Sequence, residues 1–156
     1  MKIEPFKSQR LDIRPLLVGD ITDSYIKALN EYEVVRFTEA WKTVWTYENV
    51  KEYVQSTQGL LGIFLEGKHI GNFHVYAISD DVAGIGIVIF DKAQWGKGYG
   101  SETIKAVTDE VFRSTSIKTI TAKILKDNSG SIKAVEKAGY RIEGITDNGV
   151  MVVINK

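Results

Sequence analysis

A glycine-rich stretch in the middle of the chain carries the strongest chemical signal. Gly96, Gly98 and Gly100 alternate with other residues between Trp95 and Ser101, after an apolar run and before a segment with helical spacing. Glycines let a backbone approach a ligand closely, and a helix start adds unpaired N–H donors and about half a positive charge. The stretch is therefore predicted to bind an anion, and such a site is best suited to a phosphate or pyrophosphate. A purely structural turn is the alternative.

Two common nucleotide-binding loops do not fit this spacing. A P-loop, G-x-x-x-x-G-K-(S/T), would need a glycine at Asp91 and a serine or threonine directly after Lys97. The dinucleotide fingerprint G-x-G-x-x-G, counted from Gly96, meets Ser101 where its last glycine should stand. Both motifs depend on these positions for the turn and for the close approach to phosphate. The anion is therefore predicted to be held in another way.

A second polar segment follows the next predicted strand. It contains Asn128, Ser131, Lys137, Gly139 and Tyr140. Asparagine or serine caps helix starts, and glycine ends helices, so these residues would suit a short helix over 131–138. Capping and ligand binding are compatible roles here, and for the asparagine and the serine the sequence leaves both open.

The spacing of apolar residues predicts the order β-α-α-β-β-β-α-β-α-β-β. Strands are predicted near 11–15, 60–66, 69–78, 84–90, 118–125, 140–145 and 150–154. Helices are predicted over 20–30, after a cap at Thr46, after the glycine-rich stretch, and over 131–138. This order implies an α/β (α+β) fold, a mixed sheet with helices on its faces. Without linkers or repeats, we expect one domain over 1–156.

The composition argues against several kinds of site. The chain has 156 residues, with 20 basic and 20 acidic side chains, two histidines and no cysteine. It lacks the basic excess of a general nucleic-acid binder and every thiol-based site. His69 and His74 lie on one predicted strand at an odd spacing, so we expect them on opposite faces and expect no metal site. No apolar run suits a leader or a membrane span, which favours a cytoplasmic protein.

Together, the two polar segments resemble the GNAT superfamily of N-acetyltransferases. In the family motif (Q/R)-x-x-G-x-(G/A), Gly98 and Gly100 hold the small positions, and Trp95 replaces the glutamine or arginine. The run W-G-K-G-Y-G-S-E over 95–102 is similar to the branch of ribosomal-protein and aminosugar acetyltransferases. The segment 128–140 resembles the family's second signature, and the resemblance runs from about residue 8 to the end.

The resemblance implies a mostly antiparallel, mixed sheet of six to seven strands with about four helices and a splayed central strand pair. It implies acetyl-CoA as co-substrate, with the pantetheine arm on free backbone N–H groups of the central strand. The residues that match the family's donor site are Val88, Ile89, Phe90, Trp95, Gly96, Lys97, Gly98, Tyr99, Gly100, Ser101, Asn128 and Ser131.

The catalytic residues follow less directly. Many family members have a tyrosine acid where this chain has Val135, so Ser131 is the candidate proton donor to the leaving sulfur. His74 is the candidate base, because histidine exchanges protons near neutral pH; a half-buried strand histidine is the alternative. Glu33 and Glu39 fall in the segment that would form the acceptor side, but their simpler interpretation is as surface carboxylates. An aromatic cluster there, Phe37, Trp41, Trp45 and Tyr47, suits either a substrate ring or packing between helices.

The predicted function is acetyl-CoA-dependent N-acetylation of a primary amine in a ternary complex. The acceptor is left open among a protein N-terminus, an aminosugar and a small amine. A non-catalytic module that binds acyl-CoA is the alternative, and a nucleotide-binding domain of another class is a third. We expect no nucleic-acid or membrane partner, and a homodimer is possible because dimers are frequent in the family.

Overall fold

An eight-stranded sheet forms the centre of this computed structural model, which describes residues 1–156. Its strands are β1 (Phe6–Lys7), β2 (Asp12–Pro15), β3 (Leu60–Leu65), β4 (Lys68–Ala77), β5 (Val82–Ile89), β6 (Thr119–Leu125), β7 (Arg141–Thr146) and β8 (Gly149–Asn155). They lie in the order β1-β2-β3-β4-β5-β6-β8-β7. All neighbours are antiparallel except the parallel pair β5–β6. The prediction of a mixed, mostly antiparallel sheet is confirmed.

Five α-helices cover the sheet. They are α1 (Asp23–Leu29), α2 (Tyr32–Val35), α3 (Tyr47–Ser56), α4 (Tyr99–Ser114) and α5 (Ser129–Lys137). At their predicted places, Thr46 Oγ1 caps α3, Asn128 Oδ1 caps α5, and Gly139 follows the end of α5 with a φ of +100°. Each cap satisfies backbone groups that the helix itself leaves unpaired.

The structure contains every predicted strand and helix, and also one more strand, one more α-helix and three short 3₁₀-helices, Val18–Asp20, Glu39–Lys42 and Lys92–Gln94. The additional strand β1 has two residues and the additional helix α2 has four. The sheet therefore has one strand more than the six to seven predicted. Elements this short span about one structural period, so they leave no repeating pattern of apolar residues in the sequence.

Apolar side chains pack against both faces of the sheet. On one face, α4 and α5 contribute Ile104, Val107, Val111 and Val135. On the other, α1, α2 and α3 contribute Tyr25, Leu29, Val35, Val50 and Val54. Full burial of one such aliphatic side chain is worth roughly 1.5–3 kcal/mol relative to exposure. Packing on both faces fixes the sheet as a support for the site.

Strands β5 and β6 part along their length. They pair only at Val82–Thr119, Ala83–Ile120 and Gly84–Thr121. Beyond these pairs β5 continues to Ile89 with β4 alone as neighbour, while β6 continues to pair with β8. This is the splayed central strand pair that was predicted. It opens a gap in the middle of the sheet.

A β-bulge in β4 changes the direction of His69. Phe64 pairs with His69 and the preceding Ile63 pairs with Gly71, so β4 carries one extra residue between them. An extra residue reverses the alternation of side chains along a strand. His69 therefore packs under α1, on the face where His74 lines a cavity. The prediction that the two histidines lie on opposite faces is wrong.

The structure contains no group of three or more His, Cys, Asp or Glu side chains that could hold a metal ion. None of its helices combines the length and the apolar character needed to cross a bilayer.

The turn before β3 yields a prediction about stability. Gly59 has a φ of +75°, and a Cβ built there would overlap the carbonyl oxygen of Val75. Gly67 has a φ of +80° with nothing within 4 Å of such a Cβ. In chemical denaturation, Gly67→Ala should cost about 1–2 kcal/mol for its left-handed backbone alone, and Gly59→Ala should cost more than about 3 kcal/mol. Equal losses would contradict the tight packing at Gly59.

Candidate active site

The glycine-rich stretch borders a cavity of about 560 Å³, here called the loop cavity. Its walls include the end of β5, the start of α4 and the start of α5. Gly96 and Gly98 adopt φ values of +76° and +83°, which glycine tolerates best. A Cβ at Gly96 or Gly100 would meet nothing within 4 Å. The missing side chains therefore leave open space beside the backbone, as close approach of a ligand requires.

The start of α4 points unpaired donors toward this space. Gly98 caps the helix, and the first helical bond is from Glu102 N–H to the Gly98 carbonyl. The N–H groups of Tyr99, Gly100 and Ser101 consequently have no carbonyl partner in the helix. Together with the helix dipole they favour a negatively charged group.

Glu102 could weaken this preference, but it is turned to the N-terminal segment. Its carboxylate accepts hydrogen bonds from Ser8 Oγ at 2.7 Å and from Arg10 Nε at 2.6 Å. Burial by itself would raise the pKa of Glu102, but the hydrogen bonds from Ser8 and Arg10 outweigh it and hold the pKa below its ordinary value. Arg10 also stacks 4.3 Å from the Tyr99 ring centre and donates to the Lys97 carbonyl. This clamp fixes the loop and pairs the charge of Glu102 with that of Arg10.

The second helix start lies across the cavity from the first. Asn128 Oδ1 accepts from Ser131 N–H at 3.3 Å, so its capping role is observed. Ser131 Oγ makes no hydrogen bond within the protein and lies on the cavity wall. Lys133 and Lys137, one helical turn apart, line the same wall. The cations and the two helix starts give the cavity the donors that a phosphorylated ligand needs.

The parted edge of β5 supplies a third set of donors. Phe90 N–H donates to the Ile70 carbonyl at 3.0 Å, toward β4. Because bonding alternates along an antiparallel strand, Val88 also bonds toward β4, whereas the N–H groups of Ile87 and Ile89 face the gap. The Phe90 N–H is therefore not free, contrary to what was expected for it, and the same alternation places the Val88 N–H toward β4 and the Ile89 N–H toward the gap. Ile87 was not predicted.

A second cavity of about 430 Å³ lies on the other side of β5, under α1 and α2; we call it the sheet cavity. His74 and Asn72 line it from β4, and Tyr25 lines it from α1. The two cavities share Thr38, Ile87 and Val88 in their walls. A ligand in the loop cavity and a ligand in the sheet cavity would therefore meet at the parted edge of β5.

Hydrogen bonds fix the polar wall of the sheet cavity. Asn72 Nδ2 donates to the Tyr25 hydroxyl at 2.6 Å, and His69 Nε2 contacts Asn72 Oδ1 at 2.7 Å. Since an amide oxygen only accepts, His69 Nε2 carries the proton. Burial lowers the pKa of His69 despite its bond to Asn72, and burial raises the pKa of Tyr25 well above its usual value. Both side chains are therefore uncharged at neutral pH.

A contact of the Nε2 nitrogen of His74 holds its ring and sets its tautomer. Its Nε2 lies 3.0 Å from the Gln58 carbonyl oxygen, and a carbonyl oxygen only accepts. In the neutral ring Nε2 is therefore the donor, and the lone pair of Nδ1 is available as a base. The two predicted catalytic side chains are in different cavities: His74 lines the sheet cavity and Ser131 lines the loop cavity.

Of the remaining residues predicted for the donor site, some line the loop cavity and others do not. Trp95 lines the loop cavity and its Nε1 donates to the Ile89 carbonyl at 2.7 Å. Lys97 is exposed and its Nζ lies 3.3 Å from Gln94 Oε1, outside the cavity lining. Phe90 is buried against Tyr25 instead.

The residues predicted for the acceptor side are distributed over both cavities, and two of them line neither. Phe37 and Glu33 line the loop cavity, whereas Trp45 and Glu39 line the sheet cavity. Trp41 and Tyr47 line neither, so the predicted aromatic cluster is not one site. Thr38, Tyr25 and Asn72 were missed, because single polar residues at caps and in strands carry no motif. The pairing of β4 with β5 is the signal that could have found Asn72, which lies opposite Val88.

The clamp at Glu102 predicts a pH-dependent contribution to stability. Its folded-state pKa is lowered from an ordinary 4.5, so the stabilisation is complete above that pH and is lost as the pH falls through the folded pKa. In urea unfolding at pH 7, Glu102→Gln should cost about 1–3 kcal/mol, and its difference from the wild type should shrink below pH 4.5. Glu110→Gln in the same helix, which breaks an i,i+3 pair to exposed Arg113, should cost less than about 1 kcal/mol.

Comparison with known proteins gives a family. A sequence profile described as Acetyltransferase (GNAT) domain matches residues 10–141. The probable N-acetyltransferase YjcK of Bacillus subtilis strain 168 is 26% identical over 161 aligned positions, covering 94% of this chain and 88% of that protein.

Solved structures show the same fold. A GNAT-family acetyltransferase from Bacillus anthracis superposes with a TM-score of 0.85 at 21% identity, over 97% of this chain and 98% of that one. The ribosomal L7/L12 alpha-N-protein acetyltransferase RimL, solved with coenzyme A, gives 0.85 at 18% identity with the same coverage. The profile spans most of the chain, which is what assigns the family. The chain belongs to the GNAT family of acetyltransferases, whose co-substrate is acetyl-CoA.

Proposed function

We propose that the protein transfers acetyl directly from acetyl-CoA to a primary amine while both are bound. The observation that supports this most strongly is the contact between the two cavities at Ile87 and Val88. An anion site on one side and a mostly apolar cavity on the other would bring a thioester and an amine together at one strand edge. Holding two reactants in this way can supply about 7–11 kcal/mol of the barrier reduction.

The donor side of the proposal assigns roles mainly to backbone. The helix start at Tyr99–Ser101 would bind the pyrophosphate, and Lys133 and Lys137 lie near enough to add positive charge. The N–H groups of Ile87 and Ile89 would hold the pantetheine arm along the gap, in the manner of an added strand. One of these donors would also polarise the thioester carbonyl as negative charge develops on its oxygen.

The side chains on each side of the edge have complementary tasks. Acetyl-CoA supplies an activated acetyl group whose carbon–sulfur bond breaks as the carbon–nitrogen bond forms. His74 Nδ1 would take the proton that the attacking amine releases, and Ser131 Oγ would donate a proton to the departing sulfur. His74 would then release its proton to solvent, and Ser131 would recover one from solvent, so that both side chains return to their starting states. The released thiol and the new amide account for all atoms.

Donor binding can be tested with ligand-induced stabilisation. Acetyl-CoA and CoA should each raise the melting temperature, since a hundredfold excess over Kd stabilises by about 2.7 kcal/mol; ATP and NAD should not. Gly100→Val, whose side chain would enter the loop cavity, should remove most of this shift. Gly19→Val, at a glycine with equal free space but outside the cavities, should keep it. Stabilisation by ATP or NAD instead would favour another class of nucleotide-binding protein.

The two catalytic assignments make different predictions for the rate of thiol release. His74→Gln should lower kcat/KM by about a hundredfold, as loss of a general base does, and added imidazole should restore part of it. Ser131→Ala should cost less than about tenfold, because a thiolate with a pKa near 8–9 departs tolerably without an acid. His74→Gln should keep the acetyl-CoA melting shift, because His74 does not line the loop cavity. An unchanged rate in His74→Gln would remove it from the mechanism; no turnover in any variant, wild type included, would favour a binding module.

A further inference from the structure

The chemical character of the sheet cavity restricts the amine it can accept. This inference rests on the proposed function and concerns only the choice of acceptor. Most of the cavity wall is apolar or aromatic: Leu29, Val35, Ala40, Trp45, Tyr53, Leu60, Ile87 and Val88. A ligand that fills such a cavity must present matching apolar surface, because each polar group transferred there without a partner loses its hydration.

Charge is nearly absent from the same wall. Glu39 is its only carboxylate, it is exposed, and it already pairs with Lys42 on the protein surface. Tyr25 and Tyr53 do not supply negative charge, because burial raises the pKa of both. An acceptor with several ammonium groups would therefore leave most of its charges desolvated and unpaired, at a cost that the cavity does not offset.

One group of polar side chains in the cavity lies next to the parted strand edge; Thr38, Glu39 and Thr43 line another part of the wall. Asn72 donates to the Tyr25 hydroxyl, which leaves the hydroxyl proton and one lone pair without a partner in the protein. Both residues and His74 lie along β4 and α1, next to Val88 and the parted strand edge. One amino group can be oriented there while the rest of the molecule stays on apolar surface.

The apolar surroundings also assist the chemistry. A bound ammonium group is disfavoured where its charge is desolvated, so burial shifts it toward the neutral, nucleophilic amine. This effect operates for one buried amino group next to an apolar body. It works against polyamines and aminoglycosides, whose neighbouring charges would have to be desolvated as well.

We infer that the acceptor is a primary monoamine whose amino group stands on a compact apolar or aromatic body. The same chemistry occurs in a free small amine and in a peptide that begins with an apolar residue. The cavity of about 430 Å³ is large enough for either, since small-ligand sites begin near 300 Å³.

Competing acceptors provide the test. Initial rates of thiol release are measured with acetyl-CoA and, separately, 2-phenylethylamine, a short peptide with N-terminal leucine, spermidine and kanamycin. The amine or the peptide should exceed spermidine and kanamycin in kcat/KM by roughly tenfold or more, and the better of the two identifies the source. A preference for spermidine or kanamycin would overturn the inference but leave the acetyltransferase activity standing. No acetylation of any of the four, with acetyl-CoA still bound, would remove the proposed catalysis and the inference with it.

A variant inside the cavity separates acceptor binding from donor binding. Gly86 lines the sheet cavity but not the loop cavity, and a Cβ there would meet nothing within 4 Å. Gly86→Val should raise KM for the preferred monoamine or peptide about tenfold while keeping the acetyl-CoA melting shift. Gly86→Ala should give a smaller increase in the same direction and guards against a folding defect. An unchanged KM in both variants would show that the acceptor does not occupy this cavity.

Discussion

Strands β5 and β6 hydrogen-bond over three residue pairs and then separate, and this separation determines the chemistry available to the molecule. Backbone N–H groups in a sheet are normally consumed by neighbouring strands, and leaving them unpaired in the interior is costly. Here Ile87 and Ile89 keep their donors because no strand lies beside them. The cavities on both sides of β5 reach this edge: Thr38 and Ile87 line the loop cavity, the sheet cavity and a smaller cavity of about 210 Å³ in the gap itself.

The surrounding structure supports the two halves of the site by different physical means. On the donor side, helix starts and glycines present backbone dipoles to a polar ligand, Lys133 and Lys137 add positive charge, and the Arg10–Glu102 ion pair holds the loop in place. On the acceptor side, side chains of α1 and α2 contribute apolar wall, and hydrogen-bonded groups around Asn72 give direction. A charged thioester carrier and an uncharged amine need these opposite environments within a few ångströms of each other.

Local patterns allowed most of the fold and the loop to be predicted from the sequence. The glycines from Gly96 to Gly100, the cap at Asn128 and the alternation in β6 are all encoded within a few residues. Features that depend on pairing between strands were missed or predicted wrongly. They are the bulge that reorients His69, and the strand register in which the Phe90 N–H bonds to β4 while the Ile87 N–H faces the gap. The shape of the sheet cavity could not be predicted either, because its walls come from two separate stretches of the chain, 25–60 and 72–88.

Amide hydrogen exchange at single-residue resolution, with and without CoA, tests most directly whether the parted edge of β5 holds the donor. The N–H groups of Ile87 and Ile89 should become protected when CoA binds, while the N–H of Phe90, already bonded to the Ile70 carbonyl, should change little. Stabilisation of the protein by CoA with no added protection at Ile87 and Ile89 would contradict the account.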